Sequence, residues 1–306
     1  MLWRSYARKA LELGGEFTKM SKVFLYLALI LSVHIYAEDK PYLVMHCRDG
    51  AGLFSIWHDV LCMTKCYEKG LYTGIEVDFK REGQYYDERY GDNWWEYYCY
   101  PIKQGYADNN VRHVMGDPPG SIGCEIEYFT PRQEARDLIG KYIHLKTEIS
   151  TYISDFQRAN FNGYYVISVH YRGTDKCVEV PTVPYDEMRL HIEDAINRYP
   201  GENYKIFIAT DEQEFLDYMT SLYGDRICFN PQAIRSTDGQ ALHMGDYDRY
   251  QCGFDAIVDS VLLSRGNFLI RMSSNLSRWS LFFNPDIPFI EINAPNQHGQ
   301  YENTKG

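Results

Sequence analysis

The chain has 306 residues, a formal net charge of −11, 45% hydrophobic and 24% charged side chains. That balance excludes a disordered chain, and an acidic surface excludes nucleic acid as the main partner, because phosphate backbones need a basic face. A single anionic nucleotide is still compatible with it, provided that a few cations are placed locally.

The stretch "MSKVFLYLALILSVHIYAED" starts at Met20 with Lys22 and ends at Ala37 before Glu38. Its apolar run of about 15 residues falls short of the ~20 of a spanning helix. Residues 20–37 therefore read as a signal peptide. The alternative is an uncleaved signal anchor holding the chain to a membrane through residues 23–37. Either reading exports the chain, to a secretory lumen, to the periplasm or to the medium. All eight cysteines lie beyond this segment, and their even count in an exported chain predicts one or two disulfides in the N-terminal half. No cysteine spacing suggests zinc.

Next, "PYLVMHC" predicts a strand, "RDGAGLFS" a turn, "IWHDVLCMTKCYEKG" a helix and "LYTGIEVDF" another strand. Residues 80–125 are aromatic and turn-rich, with neither period. "PRQEARDLIGKYIHLKTEISTYISDFQRAN" predicts one long amphipathic helix with Pro131 near its start. The 15% aromatic share is expected mostly in core and interface, with the lining of a sugar cleft as the alternative.

From residue 164 the pattern is regular. "YYVISVHY", "YKIFIATD", "RICFN", "NFLIRMSS" and "PFIEINA" read as strands alternating with helices. Such alternation predicts an α/β protein with parallel sheets wrapped on both faces. The simplest architecture is two Rossmann-like lobes, residues 40–159 and 160–296, with a cleft between them.

Ligands of such sheets bind beyond the carboxyl ends of the strands, and three predicted strands end in reactive side chains. In "HYRGTDK", Arg172 offers a planar fork suited to a diphosphate and Lys176 a point charge. In "IATDE", Thr210 and Asp211 are placed to cap the following helix. In "RMSSNLS", Ser273, Ser274 and Asn275 open a helix whose N–H groups and dipole favour a phosphate. Asp259, upstream on the preceding helix, can accept hydrogen bonds from a base or ribose. Singly, each is an ordinary cap or turn residue; together they predict an anion site.

"HYRGTDK", "IFIATDE" and "FDAIVDSVLLSRGNFLIRMSSN" resemble three successive motifs of the α1,6-fucosyltransferases. Nodulation fucosyltransferases and protein O-fucosyltransferases carry related patterns. The order and spacing match over residues 164–284, and "DGAGLFSIWHDVL" is similar to the family's glycine-rich N-terminal loop and helix. The resemblance implies a GT-B fold and inverting transfer of fucose from GDP-fucose to a glycan or glycoprotein acceptor. It implies no metal and no other cofactor. The N-terminal lobe would serve the acceptor and the C-terminal lobe the nucleotide sugar.

By the same resemblance, Arg172 grips the diphosphate, His170 supports the nucleotide and Asp259 binds the nucleoside. Ser273, Ser274 and Asn275 lie at the phosphates, and Gly50 and Gly52 belong to the N-terminal donor loop. Glu179 or Asp175 takes the acceptor proton, with Lys176 orienting its neighbour or lowering its pKa. The chain departs from the pattern twice. Gly173 stands where the α1,6 enzymes have a second arginine, and Glu179 falls one position closer than their carboxylate. Another nucleotide sugar as donor, or a catalytically silent carbohydrate-binding relative, are the competing readings. "GDYDRY" holds Asp246 and Asp248 in the D-x-D pattern of metal-dependent glycosyltransferases, but it follows a loop in a chain with 42 acidic residues.

Overall fold

The computed structural model describes residues 40–107, 109–118, 131–174, 182–199, 201, 203–240, 242 and 245–293. The signal segment 20–37, Cys124, Cys177 and the three residues expected at the base, Asp175, Lys176 and Glu179, lie outside the described residues. Among the described residues, no helix is long and apolar enough to cross a membrane.

In chain order the elements are β1 (Tyr42–His46), α1 (Leu53–Glu68), β2 (Gly74–Val77), α2 (Trp95–Tyr98), β3 (Lys103–Gly105), β4 (Val111–Met115), α3 (Arg132–Tyr142) and α4 (Thr147–Asn160). There follow β5 (Tyr165–Tyr171), α5 (Tyr185–Arg198), β6 (Tyr204–Thr210), α6 (Gln213–Tyr223), β7 (Ile227–Cys228), α7 (Arg249–Leu263), β8 (Phe268–Arg271), α8 (Asn275–Phe283) and β9 (Phe289–Glu291). The strands form two sheets, β3-β2-β1-β4 and β7-β6-β5-β8-β9. The second is parallel throughout. In the first, β1 pairs parallel with β2 and β4, and β3 is antiparallel to β2.

Period-2 alternation distributes the second sheet between two apolar layers. Ile167, Val169, Tyr171, Ile206 and Ile208 pack with Met188, Ile192, Phe215 and Met219 from α5 and α6. Val166, Phe207, Ala209 and Leu269 face the other way, into a cluster with Phe254, Ile257 and Val258 of α7 and Trp279 of α8. That cluster continues through α1 and the first sheet. At its centre Trp279 meets Phe54 and Trp57, each with ring centroids 5.3 Å apart, and Trp57 meets Trp95 at 5.3 Å. The four largest fully buried side chains are Trp57, Trp94, Trp95 and Trp279, so much of the aromatic content is core.

Three expectations need correction. The long helix is two, because residues 144–146 pair sideways instead of continuing the turn. Tyr100 N–H donates to the His144 carbonyl and Lys146 N–H to that of Tyr98, both at 2.8 Å, while Cys99 bridges Leu145. The aperiodic region holds two strands, β3 and β4. In β4 only Val114 escapes full exposure, so no apolar alternation marks it in the sequence. Finally, no disulfide joins any two of Cys47, Cys62, Cys66, Cys99, Cys228 and Cys252. The four of these in the N-terminal half are buried and pack as small apolar side chains in the shared core.

Candidate functional site

In the second sheet β5 has a neighbour on each side, β6 and β8, and the strand order reverses there. Such a switch point leaves a crevice beyond the carboxyl ends of the strands. Here the crevice is a cleft of about 670 Å³ including its open mouth, bounded by His170, Arg172, Thr210, Asp211 and Asp259, and by Leu276 of α8. Tyr85, from the loop before α2, closes it on the side of the first sheet. His170 is buried at 3% exposure and alternates with Val169 and Tyr171, so it shares the sheet face covered by α7.

Helix α7 offers the cleft one stripe, Cys252, Asp255, Ala256 and Asp259, at i, i+3, i+4 and i+7. Asp255 has a tethering role. Its carboxylate accepts from Ile234 N–H at 2.9 Å, from Gln251 Nε2 at 2.7 Å and from Asn230 Nδ2 at 3.3 Å, which fixes the 230–234 loop as a cleft wall. Burial pushes its pKa up to about 6. Asp259 is 6% exposed, and its Oδ1 is buried without a hydrogen-bond partner. Burial, then the neighbouring Asp255, pushes its pKa well above the carboxylate range, against the opposing pull of Arg235. A buried acceptor left unsatisfied is costly unless a ligand completes it.

Across the cleft, Asp211 organises the exit of β5. Its carboxylate accepts from Gly173 N–H at 3.2 Å and from the Thr174 hydroxyl at 2.6 Å, and lies 3.7 Å from Arg172 Nε. The expected cap therefore does not form at Asp211. Thr210 alone serves the start of α6, its hydroxyl accepting Glu212 N–H at 3.1 Å. Gly173 lies against Glu212: a β-carbon there would come within 2.2 Å of the Glu212 carboxyl group, the far end of a side chain that can turn aside. Burial raises the Glu212 pKa, although Tyr185 Oη–H donates to this carboxylate at 3.0 Å and opposes the shift.

The start of α8 is held from below. Arg271 pairs with Glu291 at 2.5 Å, donates to Ser277 Oγ at 3.1 Å and donates to the Ser274 carbonyl at 3.2 Å. Ser274 occupies the N-cap position, yet its side chain makes no capping bond, and Asn275 is exposed on the first turn. Ser273 is buried, with its N–H donating to Asn293 Oδ1 at 2.9 Å. Leu276 carries this helix start to the cleft wall.

Gly50 and Gly52 do not line the cleft. Gly50 turns the chain at φ +72° and Gly52 precedes α1. They sit one contact away, since Leu53 N–H donates to Tyr85 Oη at 2.9 Å and Gln84 Nε2 to the Ala51 carbonyl at 2.7 Å. Asp248 caps α7 by accepting Gln251 N–H at 2.9 Å and pairs with Arg89 at 2.8 Å. Among the described residues, no group of three or more His, Cys, Asp or Glu side chains gathers in metal-binding geometry.

Sequence reasoning missed Tyr85, Asp255 and the clamping role of Asp211. The i, i+4 spacing of Asp255 and Asp259 was a usable signal. Tyr85 had none, lying in a stretch without periodicity.

No protein-family model and no curated protein matches the chain. Solved structures do. The NodZ α1,6-fucosyltransferase soaked with GDP-fucose superposes with a TM-score of 0.58 at 17% identity, covering 84% of this chain and 97% of that one. The same enzyme co-crystallised with GDP gives 0.52 at 18% identity, covering 83% and 95%. Fucosyltransferase NodZ from Bradyrhizobium gives 0.52 at 18%, covering 84% and 97%. At these identities the likeness is one of fold, and it spans nearly the whole of those chains.

Proposed function

We propose that the chain is a glycosyltransferase that moves fucose from GDP-fucose to a hydroxyl of a glycan or protein, with inversion. The observation that carries this reading is the cleft at the β5/β8 switch point. It opposes a guanidinium, Arg172, to a buried and unsatisfied carboxyl oxygen on Asp259. A nucleoside diphosphate has the complementary ends: a base with N–H donors and a doubly charged phosphate pair. The structures of similar fold soaked with GDP-fucose or crystallised with GDP support the same choice.

In this reading the two sheets are the Rossmann-like lobes of a GT-B enzyme, 40–159 serving the acceptor and 160–296 the donor. Asp259 as carboxylate accepts from the base edge, and His170 supports the nucleotide. Arg172 and the N–H groups at the Ser273–Asn275 helix start hold the phosphates, with Gly50 and Gly52 shaping the loop opposite. The acceptor oxygen attacks the anomeric carbon as the bond to the β-phosphate oxygen breaks. Its proton passes to a carboxylate, Glu179 or Asp175 beside Lys176, and the electron pair leaves with GDP. Charge grows on that leaving group, and a guanidinium fixed in advance by Asp211 stabilises it without reorganising. Arg172 and the helix start supply the positive potential, so the reaction runs without a metal. The mature chain works after export.

A different nucleotide sugar is the second reading, favoured by Gly173 lying against Glu212 where the α1,6 enzymes carry a second arginine. One experiment separates the two. Release of nucleoside diphosphate is measured from GDP-fucose, GDP-mannose and UDP-sugars, with and without EDTA, alongside the melting temperature with GDP and with UDP. GDP-fucose turnover that survives EDTA is expected. Turnover of a UDP-sugar alone moves the donor, loss on chelation restored by Mn²⁺ removes the metal-free mechanism, and no stabilisation by any nucleotide sinks the proposal.

A further inference from the structure

A second cavity, about 480 Å³ with its mouth, adjoins the cleft and shares three of its wall residues, Tyr85, Leu242 and Cys252. Its own walls add Gln84, Gly245, Tyr247 and Arg249. We propose that this cavity seats an uncharged pyranoside, the acceptor sugar, with the ring of Tyr247 as its stacking platform. The identification as acceptor rests on the donor reading above; the sugar chemistry of the cavity does not.

Position comes first. Helix α7 lines both spaces, and Asp259 and Arg249 stand ten residues apart on it. At 1.5 Å per residue they are about 15 Å apart along the axis, the scale of an extended nucleoside diphosphate. A donor in the first cleft therefore has the second cavity as its neighbour across the shared wall of Tyr85, Leu242 and Cys252. An acceptor seated in the second cavity lies against that wall.

Chemistry comes second. A pyranoside has apolar C–H faces and a rim of hydroxyls, so it is matched by aromatic rings beside a few amide or guanidinium donors. The cavity has two tyrosines, one amide and one guanidinium. Gly245 makes the platform fit, because a β-carbon there would come within 2.4 Å of the Tyr247 ring. Gln84 donates to the Ala51 carbonyl at 2.7 Å and also bonds the Tyr85 hydroxyl, and Arg249 donates to the Tyr86 carbonyl at 3.2 Å. Each side chain has further hydrogen-bonding groups that those bonds do not use. The surroundings disfavour an acidic sugar. Asp246 is exposed beside the platform, and Asp87 and Asp248 flank Arg89 close by. The D-x-D segment thus becomes the frame that presents the tyrosine between its two carboxylates.

The test uses the full chain saturated with GDP and follows binding by saturation-transfer NMR. The probes are methyl β-D-glucopyranoside and methyl N-acetyl-β-D-glucosaminide, with methyl β-D-glucuronide as the charged control. The neutral glycosides are expected to bind. Tyr247→Ala should weaken them about tenfold, and Tyr247→Phe, which keeps the ring, by about twofold or less. The rise in melting temperature on adding GDP should be the same in both variants as in the parent chain. Absence of binding by neutral glycosides, equal binding by the parent and Tyr247→Ala, or tighter binding of the glucuronide would each overturn the proposal. A parent chain that binds glycosides but gains nothing from GDP would instead overturn the donor reading alone.

Discussion

The two sheets use their carboxyl edges differently. At the edge of the first, two histidines tie neighbouring strands together. His46 Nδ1–H donates to the Asp78 carbonyl at 3.0 Å, which leaves Nε2 to accept from His113 Nδ1–H at 2.8 Å. At the edge of the second, a buried carboxyl oxygen of Asp259 lines the cleft, and a carboxylate, Asp211, is spent on fixing a loop instead of a helix. The histidine pair joins strands to one another, whereas the unpartnered oxygen of Asp259 faces a cleft, and the proposed donor site rests on that difference.

The largest predicted effect tests that edge directly. Arg172→Ala should lower transfer from GDP-fucose by about 10³-fold or more, and Arg172→Lys should recover only a small part, because the charge returns without the fork. Circular dichroism should show both folded. Near-parental turnover in the alanine variant would erase the contrast between the edges.

Next is Asp259. Burial pushes its pKa upward, toward the neutral carboxyl group, whereas a base edge offering N–H donors favours the carboxylate. GDP binding should therefore release a proton, and affinity should rise with pH from the ordinary carboxylate range upward. Calorimetry in buffers of different ionisation enthalpy measures the release. Asp259→Asn should abolish the pH dependence and weaken GDP by about 10- to 100-fold. The same variant has a stability signature of defined sign. A carboxyl with a raised folded pKa stabilises at low pH, and that contribution fades as pH rises through the folded value. Melting curves of the variant should show less of this fall than the parent.

A smaller effect is expected at Gly173. Gly173→Ala should push the Glu212 carboxyl away and break its bond with Tyr185, costing about 1 kcal/mol in a denaturant titration. An unchanged midpoint would show that the loop shifts instead. The smallest change belongs to the first edge: His113→Ala should leave both GDP affinity and turnover within about twofold. A larger loss there would break the comparison from the other side.

The legible parts of the fold were those whose signal is local. Strands β5 and β6 are buried on both faces, so each appears as a mostly apolar segment of seven residues, and the helix between them keeps its period. Strand β4 was not legible because its side chains face solvent and its pairing comes from β1, far away in sequence. The break between α3 and α4 is likewise decided by Tyr98 and Tyr100. At the candidate site, the residue types at strand ends pointed to the edge where the structure has its cleft. Which carboxylate caps, which clamps and which is left unsatisfied depends on loops arriving from residues 85 and 230–236, and no local pattern encodes that.

The contact between Gly173 and Glu212 also couples two positions 39 apart in the chain. A β-carbon at 173 takes space that the Glu212 carboxyl group fills in this rotamer, so enlarging one position displaces the other. Shortening 212 while enlarging 173 should therefore cost less than the two changes added separately, a non-additivity that a double-mutant cycle in denaturant reads directly.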